Sequence, residues 1–231
     1  MTKRNILVVA AHADDEVLGC GGTIARHISE GDVVSIVFLT DGVGSRFPAA
    51  DNNECEAATE RKNASLEALQ HLGIENKQIH AFDFPDNAMD GRPRIEITRQ
   101  IEAVVEAHKP SIIYTHHPGD LNVDHRYAYE AVMTACRPQP GHPVKAIYSF
   151  EIPSSTGWAG HSQRANFVPN VHRDITEHWP QKLAALKSYT EEMRAAPHAR
   201  SIEALDALAV FRGSQVGLQR AEAFTVERII D

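Results

Sequence analysis

Residues 5–22 read NILVVAAHADDEVLGCGG, an apolar run that ends at His12 and continues into three consecutive acids. A short run that is apolar throughout predicts a strand buried on both faces over residues 5–11, followed by a helix over residues 17–30. Like charges this close repel one another and resist burial, so Asp14, Asp15 and Glu16 need a cation or strong hydrogen-bond donors beside them. The stretch therefore predicts a buried strand that ends at a cation.

The alternation of apolar runs and helix-period segments continues to residue 150. Further strands are expected at residues 32–40, 78–84, 111–115 and 144–150, and further helices at residues 54–72, 93–108 and 124–136. This β-α-β-α order predicts an α/β fold, a Rossmann-like three-layer domain with a mostly parallel sheet. In the common strand order 3-2-1-4-5 the first and fourth strands are neighbours, and the crevice at their carboxyl ends is the usual ligand site.

The last third of the chain is less regular. Residues 151–170 contain Pro, Gly, Ser and Trp without clear periodicity, which is typical of a long functional loop that contacts substrate. Helices are then expected within residues 174–194 and 201–213, and a closing strand at residues 221–230. We interpret residues 1–231 as a single domain.

The composition restricts the partners of the chain. A formal net charge of -8 and a sequence pI near 5.9 argue against a nucleic-acid or anionic-membrane surface as the main partner. No apolar stretch reaches the roughly 18 residues of a membrane span, and the amino-terminal residues lack the features of a signal peptide. The spacing of the three cysteines indicates neither a zinc knuckle nor a disulfide framework. We expect a cytoplasmic protein with a small-molecule substrate, no nucleic-acid partner and no membrane span.

A second polar cluster follows the fourth expected strand, in THHPGDLNVDHR at residues 115–126. Histidine nitrogen and carboxylate oxygen are the ligands of catalytic zinc, which has three protein ligands and a position left for water. We expect His12 and Asp15 to supply two ligands and His125 the third. The same ligands admit Mn²⁺, Co²⁺ or Fe²⁺, so Zn²⁺ is the first of several metals. Asp14 is then placed beside the metal to take a proton from water, which is hydrolytic chemistry.

Several polar residues also have simpler interpretations. Carboxylates at a helix start stabilise the helix dipole, and for Glu16 such a capping or supporting role is at least as good as a catalytic one. Asp124 can serve as the N-cap of the helix at its position. His116 and His117 are adjacent at a strand end, so they point to opposite faces and only one is expected to reach the site. The glycines within residues 19–22 are expected to allow close helix packing.

The residues AHADDEVLGCGG resemble the AHPDDE motif of the PIG-L (LmbE-like) family of zinc-dependent deacetylases, which act on N-acetylglucosamine-type sugars. Joined to the later DH of NVDHR at residues 122–126, this motif is specific, whereas the matches TDG at residues 40–42, FPDN at 84–87 and AEAF at 221–224 are weak alone. The resemblance implies His12, Asp15 and His125 as metal ligands and Asp14 as general base. It also allows a homo-oligomer.

The resemblance further implies substrate contacts from Arg61 and Asp86. The alternative for Arg61 is an ion pair on a helix surface, and Arg46 is another substrate candidate at the rim of the site. Two positions depart from the family pattern: the motif proline is Ala13, and a histidine that many members carry is Asn122. An asparagine donates a hydrogen bond to an oxyanion but delivers no proton, so the amine must be protonated by Asp14 or a nearby histidine.

These observations predict a metal-dependent hydrolase that removes an N-acetyl group from an N-acetylated amino sugar or sugar conjugate. Asp14 is expected as base, Asn122 or a histidine as oxyanion donor, and Asp124 as the carboxylate that orients Asn122 or another group of the site. Trp158 is expected either to stack on a sugar ring or to pack in the loop. The alternatives are a divalent-metal phosphohydrolase, which the absence of a basic phosphate cradle disfavours, and a sugar-binding member without catalysis.

Overall fold

A computed structural model of the protein, which describes residues 3–46, 52–160 and 166–231, contains a seven-stranded sheet. The strands in chain order are β1 (Asn5–Ala10), β2 (Val33–Phe38), β3 (Ile79–Ala81), β4 (Ile112–His116), β5 (Ala146–Phe150), β6 (Val171–Asp174) and β7 (Ala221–Ile229). Their spatial order is β3-β2-β1-β4-β5-β7-β6. The first five strands are parallel, while β7 runs antiparallel to β5 and to β6. The expected mostly parallel sheet and its 3-2-1-4-5 order are confirmed.

Six helices cover the two faces of this sheet among the described residues. They are α1 (Asp15–Ser29), α2 (Asn52–His71), α3 (Arg94–His108), α4 (Val123–Ala135), α5 (Trp179–Ser188) and α6 (Ile202–Ser214). Alternate residues of β1 enter two separate cores, one beneath α1, α2, α5 and α6 and the other beneath α3 and α4. Both faces of β1 are therefore buried, which explains why its sequence is apolar throughout.

Helix α1 is interrupted at Cys20, whose φ of −147° and ψ of 23° are not helical. Glu222 of β7 accepts hydrogen bonds from the backbone N–H groups of Gly22 at 2.9 Å and Thr23 at 2.7 Å. Lys182 of α5 donates to the carbonyl of Leu18 at 3.0 Å and to Glu222 at 2.6 Å. The buried Lys182–Glu222 pair thus satisfies the backbone groups that the interruption leaves open.

The glycines of α1 allow the close packing that the sequence predicts. A Cβ atom on Gly22 would lie 2.7 Å from Ile175 Cγ2, and one on Gly19 would overlap the ring of Phe150. Side chains at these positions would push α1 away from the segments that cover it.

Several element boundaries differ from those expected. Helix α1 begins at Asp15 rather than residue 17, so two of the three acids lie in its first turn. The N-cap of α4 is Asn122, not Asp124, because the Asn122 Oδ1 accepts a hydrogen bond from the Asp124 N–H at 2.8 Å. Strand β6 was not expected. Its four residues, VHRD, are all half-buried and mostly polar, so they lack the alternation of apolar and polar residues that predicts a strand.

The expected substrate loop contains turns at residues 153–158 and no helix or strand over its described parts, 151–160 and 166–170. Residues 161–165 of that loop lie outside the described residues. Among the helices that are described, none combines the length and apolar character that crossing a bilayer requires.

Candidate metal centre

The turn after β1 brings the acids of the opening stretch into the site. Asp14 has a φ of 130°, a left-handed conformation that few residues other than glycine adopt, at a cost of order 1–3 kcal/mol. Glu16 stabilises this turn, since its Oε2 accepts a hydrogen bond from the Asp14 N–H at 3.0 Å and its Oε1 accepts one from the Tyr189 hydroxyl at 2.7 Å. Burial raises the pKa of Glu16 to about 8, although the Tyr189 bond opposes the rise. Glu16 therefore lies behind the site and supports it.

Three ligand atoms converge where β1 and β4 end. His12 Nδ1 lies 3.1 Å from Asp15 Oδ2, His125 Nε2 lies 3.2 Å from the same oxygen, and the two nitrogens are 3.3 Å apart. A tetrahedral zinc ion with ligand distances of roughly 2.1 Å requires edges of about 3.4 Å between its ligands. All three residues are buried. The triangle therefore has nearly the size that a transition-metal ion needs.

Carboxylates behind the two histidines fix which nitrogen of each ring carries the proton. His12 Nε2 lies 3.1 Å from Asp124 Oδ2 and 3.2 Å from Asp86 Oδ1, and His125 Nδ1 lies 3.1 Å from Asp120 Oδ1. A carboxylate only accepts, so these nitrogens donate and the opposite nitrogens turn their lone pairs toward Asp15. Three lone pairs so close repel one another unless a proton or a cation lies between them.

The pKa values of the clustered histidines also indicate that the site favours a positive charge. Burial alone would lower the pKa of His12, but hydrogen bonds to Asp124, Asp15 and Asp86 raise it well above its usual value. Burial is likewise outweighed at His125, where Asp15 and Asp120 raise the pKa to about 9. Asp15 Oδ1 is in addition buried without a hydrogen-bond partner in the described parts of the chain. The donor set, the negative field and this open oxygen fit a divalent cation.

His116 is the strand-end histidine that faces this cluster. Its ring stacks on that of His125 with centroids 3.9 Å apart, and its Nε2 accepts a hydrogen bond from the Ala11 N–H at 2.8 Å. Burial lowers its pKa well below the usual value, so the ring is neutral. The neighbouring His117 instead packs against Phe167. His116 therefore supports the cluster from beneath without adding charge.

The expected base, Asp14, is buried beside this cluster and contacts a residue that the sequence did not indicate. Its Oδ2 accepts a hydrogen bond from Arg200 Nη1 at 2.8 Å, and Arg61 Nη1 lies 3.9 Å away. Burial raises the pKa of Asp14, and the two arginines oppose that rise. Asp14 is therefore a desolvated carboxylate next to the triangle of ligand atoms, which is suitable for accepting a proton from water.

Arg61 and Arg46 meet at a second residue that the sequence did not indicate, Glu192. Arg61 is 6% exposed, donates to the Ala13 carbonyl at 2.6 Å and pairs with Glu192. The side chain of Arg46 is 41% exposed and donates to Glu192 at 2.6 Å. The alternative of a surface ion pair for Arg61 is thus wrong. No local motif identifies Glu192 or Arg200 as site residues, because both lie in the irregular segment between α5 and α6.

The other predicted site residues are held by hydrogen bonds. Asp86 Oδ2 accepts a hydrogen bond from the Ser45 hydroxyl at 2.6 Å. Burial would raise the pKa of Asp86, but the hydrogen bonds from His12 and Ser45 outweigh burial and lower this pKa. Asp124 accepts from the Asn87 N–H at 2.6 Å besides facing His12. Asn122 Nδ2 donates to Asn87 Oδ1 at 3.0 Å. Asp86 and Asp124 therefore position His12, whereas the second amide hydrogen of Asn122 has no acceptor within the described residues.

A cavity of about 570 Å³ opens beside these groups. Its lining includes Ser154, Ser155 and Trp158 of the expected loop, together with Glu192, Arg194, His198 and Arg200. Trp158 is 55% exposed and its ring meets that of His198 edge to face at 5.4 Å. The segment between α5 and α6 thus contributes to the site as much as the expected loop does.

The model of the GlcNAc-PI de-N-acetylase (PIG-L) family matches residues 7–136, which include most of β1, the ligand cluster and all of α4. The chain belongs to this family. One relative is the uncharacterised deacetylase YaiS of Escherichia coli K12. It is 31% identical over 196 residues, which cover 81% of this chain and 91% of YaiS. The resemblance expected from the sequence is confirmed.

Two further comparisons bear on the reaction, one with a related sequence and one with a structure of similar fold. A deacetylase of Saccharopolyspora erythraea that acts on 1D-myo-inositol 2-acetamido-2-deoxy-alpha-D-glucopyranoside is 29% identical, with 81% of this chain and 83% of that protein covered. The structure of GalB, a 4-carboxy-2-hydroxymuconate hydratase of Pseudomonas putida KT2440, aligns with a TM-score of 0.78 at 22% identity over 99% of this chain and 98% of GalB. The fold alone therefore does not decide the reaction.

Proposed function

We propose that the protein is a zinc-dependent N-deacetylase that converts an N-acetylated amino sugar or sugar conjugate into acetate and a free amine. The observation that carries the proposal is the triangle of His12, Asp15 and His125 with the buried carboxylate of Asp14 beside it. The deacetylase relatives support the reaction, and the sugar conjugate named for the Saccharopolyspora enzyme supports the substrate class.

The metal would be held by His12 Nδ1, Asp15 and His125 Nε2. When bound, a zinc ion lowers the pKa of a coordinated water and polarises a carbonyl. Histidine and carboxylate together favour Zn²⁺ and also suit Mn²⁺, Co²⁺ and Fe²⁺, whereas Mg²⁺ prefers sites built from oxygen alone. Metal content after growth in defined media distinguishes these ions.

Asp14 acts as the base that accepts the proton of the attacking water and then returns it to the amide nitrogen as the C–N bond breaks. Its burial keeps bulk water from competing for this proton. The second amide hydrogen of Asn122 is proposed to bind the developing oxyanion. Asp124 contributes by holding His12, which makes it a positioning residue rather than one that touches substrate.

The substrate is proposed to enter the cavity between Trp158 and the segment that carries Arg200. Among the three expected substrate contacts Arg46 is the most exposed, and it pairs with Glu192, which lines this cavity. Arg61 pairs with the same carboxylate but is buried, and the buried Asp86 carboxylate faces His12 and Ser45. We therefore propose that Arg46 binds substrate directly and that Arg61 and Asp86 shape the site around it. Trp158 offers an exposed ring face on which a pyranose can stack.

The test is a deacetylation screen on protein reconstituted with zinc. Free, nucleotide-linked and lipid-linked N-acetyl sugars are incubated with the wild type and with Asp14→Asn, and both acetate and free amine are quantified. We expect stoichiometric acetate and amine from one class of substrate with the wild type only. Absence of acetate from every substrate, or undiminished turnover by Asp14→Asn, would refute the proposal.

A phosphatase panel and a binding assay run beside this screen. Phosphate release would favour the phosphohydrolase, and tight sugar binding without acetate would favour a binding protein. We also propose that the whole chain works as a single domain in the cytoplasm, and analytical ultracentrifugation will establish whether it assembles into a homo-oligomer.

A further inference from the structure

The two oxygens of the Asp14 carboxylate lie in different surroundings. Oδ2 accepts a hydrogen bond from Arg200 Nη1 at 2.8 Å and has Arg61 Nη1 at 3.9 Å. For Oδ1, no hydrogen-bond donor occurs within residues 3–46, 52–160 and 166–231. One oxygen of the carboxylate is therefore fixed by a cation, while the other is left for a further ligand.

The guanidinium of Arg200 is itself fixed on three sides. Its Nε donates to the Ser154 hydroxyl at 2.8 Å, and its Nη1 donates to Glu192 Oε2 at 3.0 Å as well as to Asp14. The backbone N–H of Arg200 donates to His198 Nδ1 at 3.0 Å. A planar guanidinium held by several acceptors is a rigid donor, so it can impose one orientation on its partner carboxylate.

Glu192 links this donor to the rest of the site. It accepts from Arg46 and Arg61 through Oε1 and from Arg200 through Oε2. The buried carboxylate thus holds three arginines, and two of them lie beside Asp14 at unequal distances. Loss of the nearer one, Arg200, would leave Arg61 as the remaining cation and would allow Asp14 to turn toward it.

We propose that Arg200 is a positioning residue for Asp14, holding Oδ2 so that Oδ1 is the oxygen that exchanges the proton with water and with the departing amine. In this sequence water loses a proton to Oδ1, the C–O bond forms, the C–N bond breaks, and the proton passes to the nitrogen. The inference rests on the proposed deacetylase function. It assigns to the segment between α5 and α6 a part in the reaction itself.

The first experiment compares Arg200→Ala and Arg200→Lys with the wild type in steady-state deacetylation. A misplaced base costs about 10²-fold, so we expect kcat of Arg200→Ala to fall by about that factor while KM changes less than about threefold. Arg200→Lys should recover part of kcat, because it restores a charge without the fork of the guanidinium. Guanidinium chloride at low millimolar concentration should restore activity to Arg200→Ala in a saturable way.

Arg220→Ala is the matched control. Arg220 pairs with Asp206 at 2.7 Å and contacts Thr176 and Trp179 rather than residues of the site, so its removal should leave kcat, KM and the guanidinium response unchanged. Zinc content and thermal midpoint are measured for every variant. A crystal structure of Arg200→Ala adds a readout without turnover, in which the Asp14 carboxylate is expected to turn toward Arg61.

The outcomes separate the two proposals. An inactive wild type on every substrate overturns the deacetylase function and, with it, the role of Arg200. With an active wild type, an unchanged kcat in Arg200→Ala, a loss confined to KM, or a loss that guanidinium does not restore overturns the role of Arg200 alone. If Arg200→Ala does not fold, Arg200→Lys decides, since wild-type kcat in that variant overturns the need for a fixed guanidinium.

Discussion

Replacing Asp124 or Asp120 by asparagine removes the negative charge behind one of the two clustered histidines at a time. Asp124 lies 3.1 Å from His12 Nε2, and Asp120 lies 3.1 Å from His125 Nδ1. Carboxylates that hold metal-binding histidines are typically worth 10- to 100-fold in metal affinity, roughly 1.4–2.7 kcal/mol. The structure predicts that the two substitutions fall at different ends of this range.

The difference arises from how many carboxylates share each ring. His12 Nε2 also has Asp86 at 3.2 Å, so Asp124→Asn leaves one anionic acceptor in place and zinc affinity should fall about tenfold. At His125 Nδ1, Asp120 is the only carboxylate partner within the described residues, with the Ser155 hydroxyl at 3.3 Å as the other neighbour. Asp120→Asn should therefore weaken zinc binding by about 100-fold.

The assay is a competition titration of metal-free protein against a chromophoric zinc chelator at one pH. The thermal midpoint of each metal-free variant identifies any general loss of structure. Affinities that fall equally, or a larger loss for Asp124→Asn than for Asp120→Asn, would refute the reasoning that the number of carboxylates on each ring sets the strength of the site.

Four further predictions follow from the buried charges of the molecule. Asp14→Asn should lower kcat by about 10²–10⁴-fold while zinc content stays near the wild-type level, because Asp14 is not one of the converging ligand atoms; loss of bound zinc would contradict this. Zinc affinity should rise with pH up to about 9, because the raised pKa of His125 means that this ring must lose a proton before it binds metal. A zinc titration that gives the same affinity from about pH 7 to pH 9 would contradict this prediction. In the metal-free protein the same raised pKa adds stability that is fully present below about pH 6.5, the pKa of an unfolded histidine, and is lost as pH rises through about 9; urea midpoints across this range measure it. Glu222→Ala should cost about 3–5 kcal/mol in the free energy of unfolding, because Lys182 and two backbone N–H groups of α1 lose their buried partner, and a cost below about 1 kcal/mol would show that the interruption of α1 does not depend on this pair.

The opening stretch illustrates how far local sequence reaches. The apolar run of β1, its abrupt end at His12 and the following acids lie within a few residues of one another, so strand, turn and two ligand atoms could be predicted together. The AEAF match at residues 221–224 shows the opposite case. It was recognisable as a weak motif, but its purpose, with Glu222 satisfying the backbone of α1, became visible only once β7 lay beside that helix.

The boundaries that were wrong have a common cause. Asp124 and Asn122 are both good N-caps by residue type. Asn122 is the cap because the Asp124 carboxylate faces His12 instead of the helix start. Strand β6 is short and polar and becomes a strand only because β7 offers it a partner. Local preference could not resolve either case, because the deciding partner lies far away in the chain.

By itself the sequence determined the layered α/β fold and the two clusters that end β1 and precede α4, while the neighbours of β1 were predicted from the commonest strand order of such folds. Hydrophobic periodicity and adjacent chemical groups are local properties, and a parallel sheet brings its strand ends together at one edge. Only the tertiary structure decided which carboxylates hold each histidine, that His116 faces the cluster, and that Arg200 reaches Asp14 across 186 positions of the chain. Such contacts depend on where an irregular segment lies in space, which no spacing within the chain expresses.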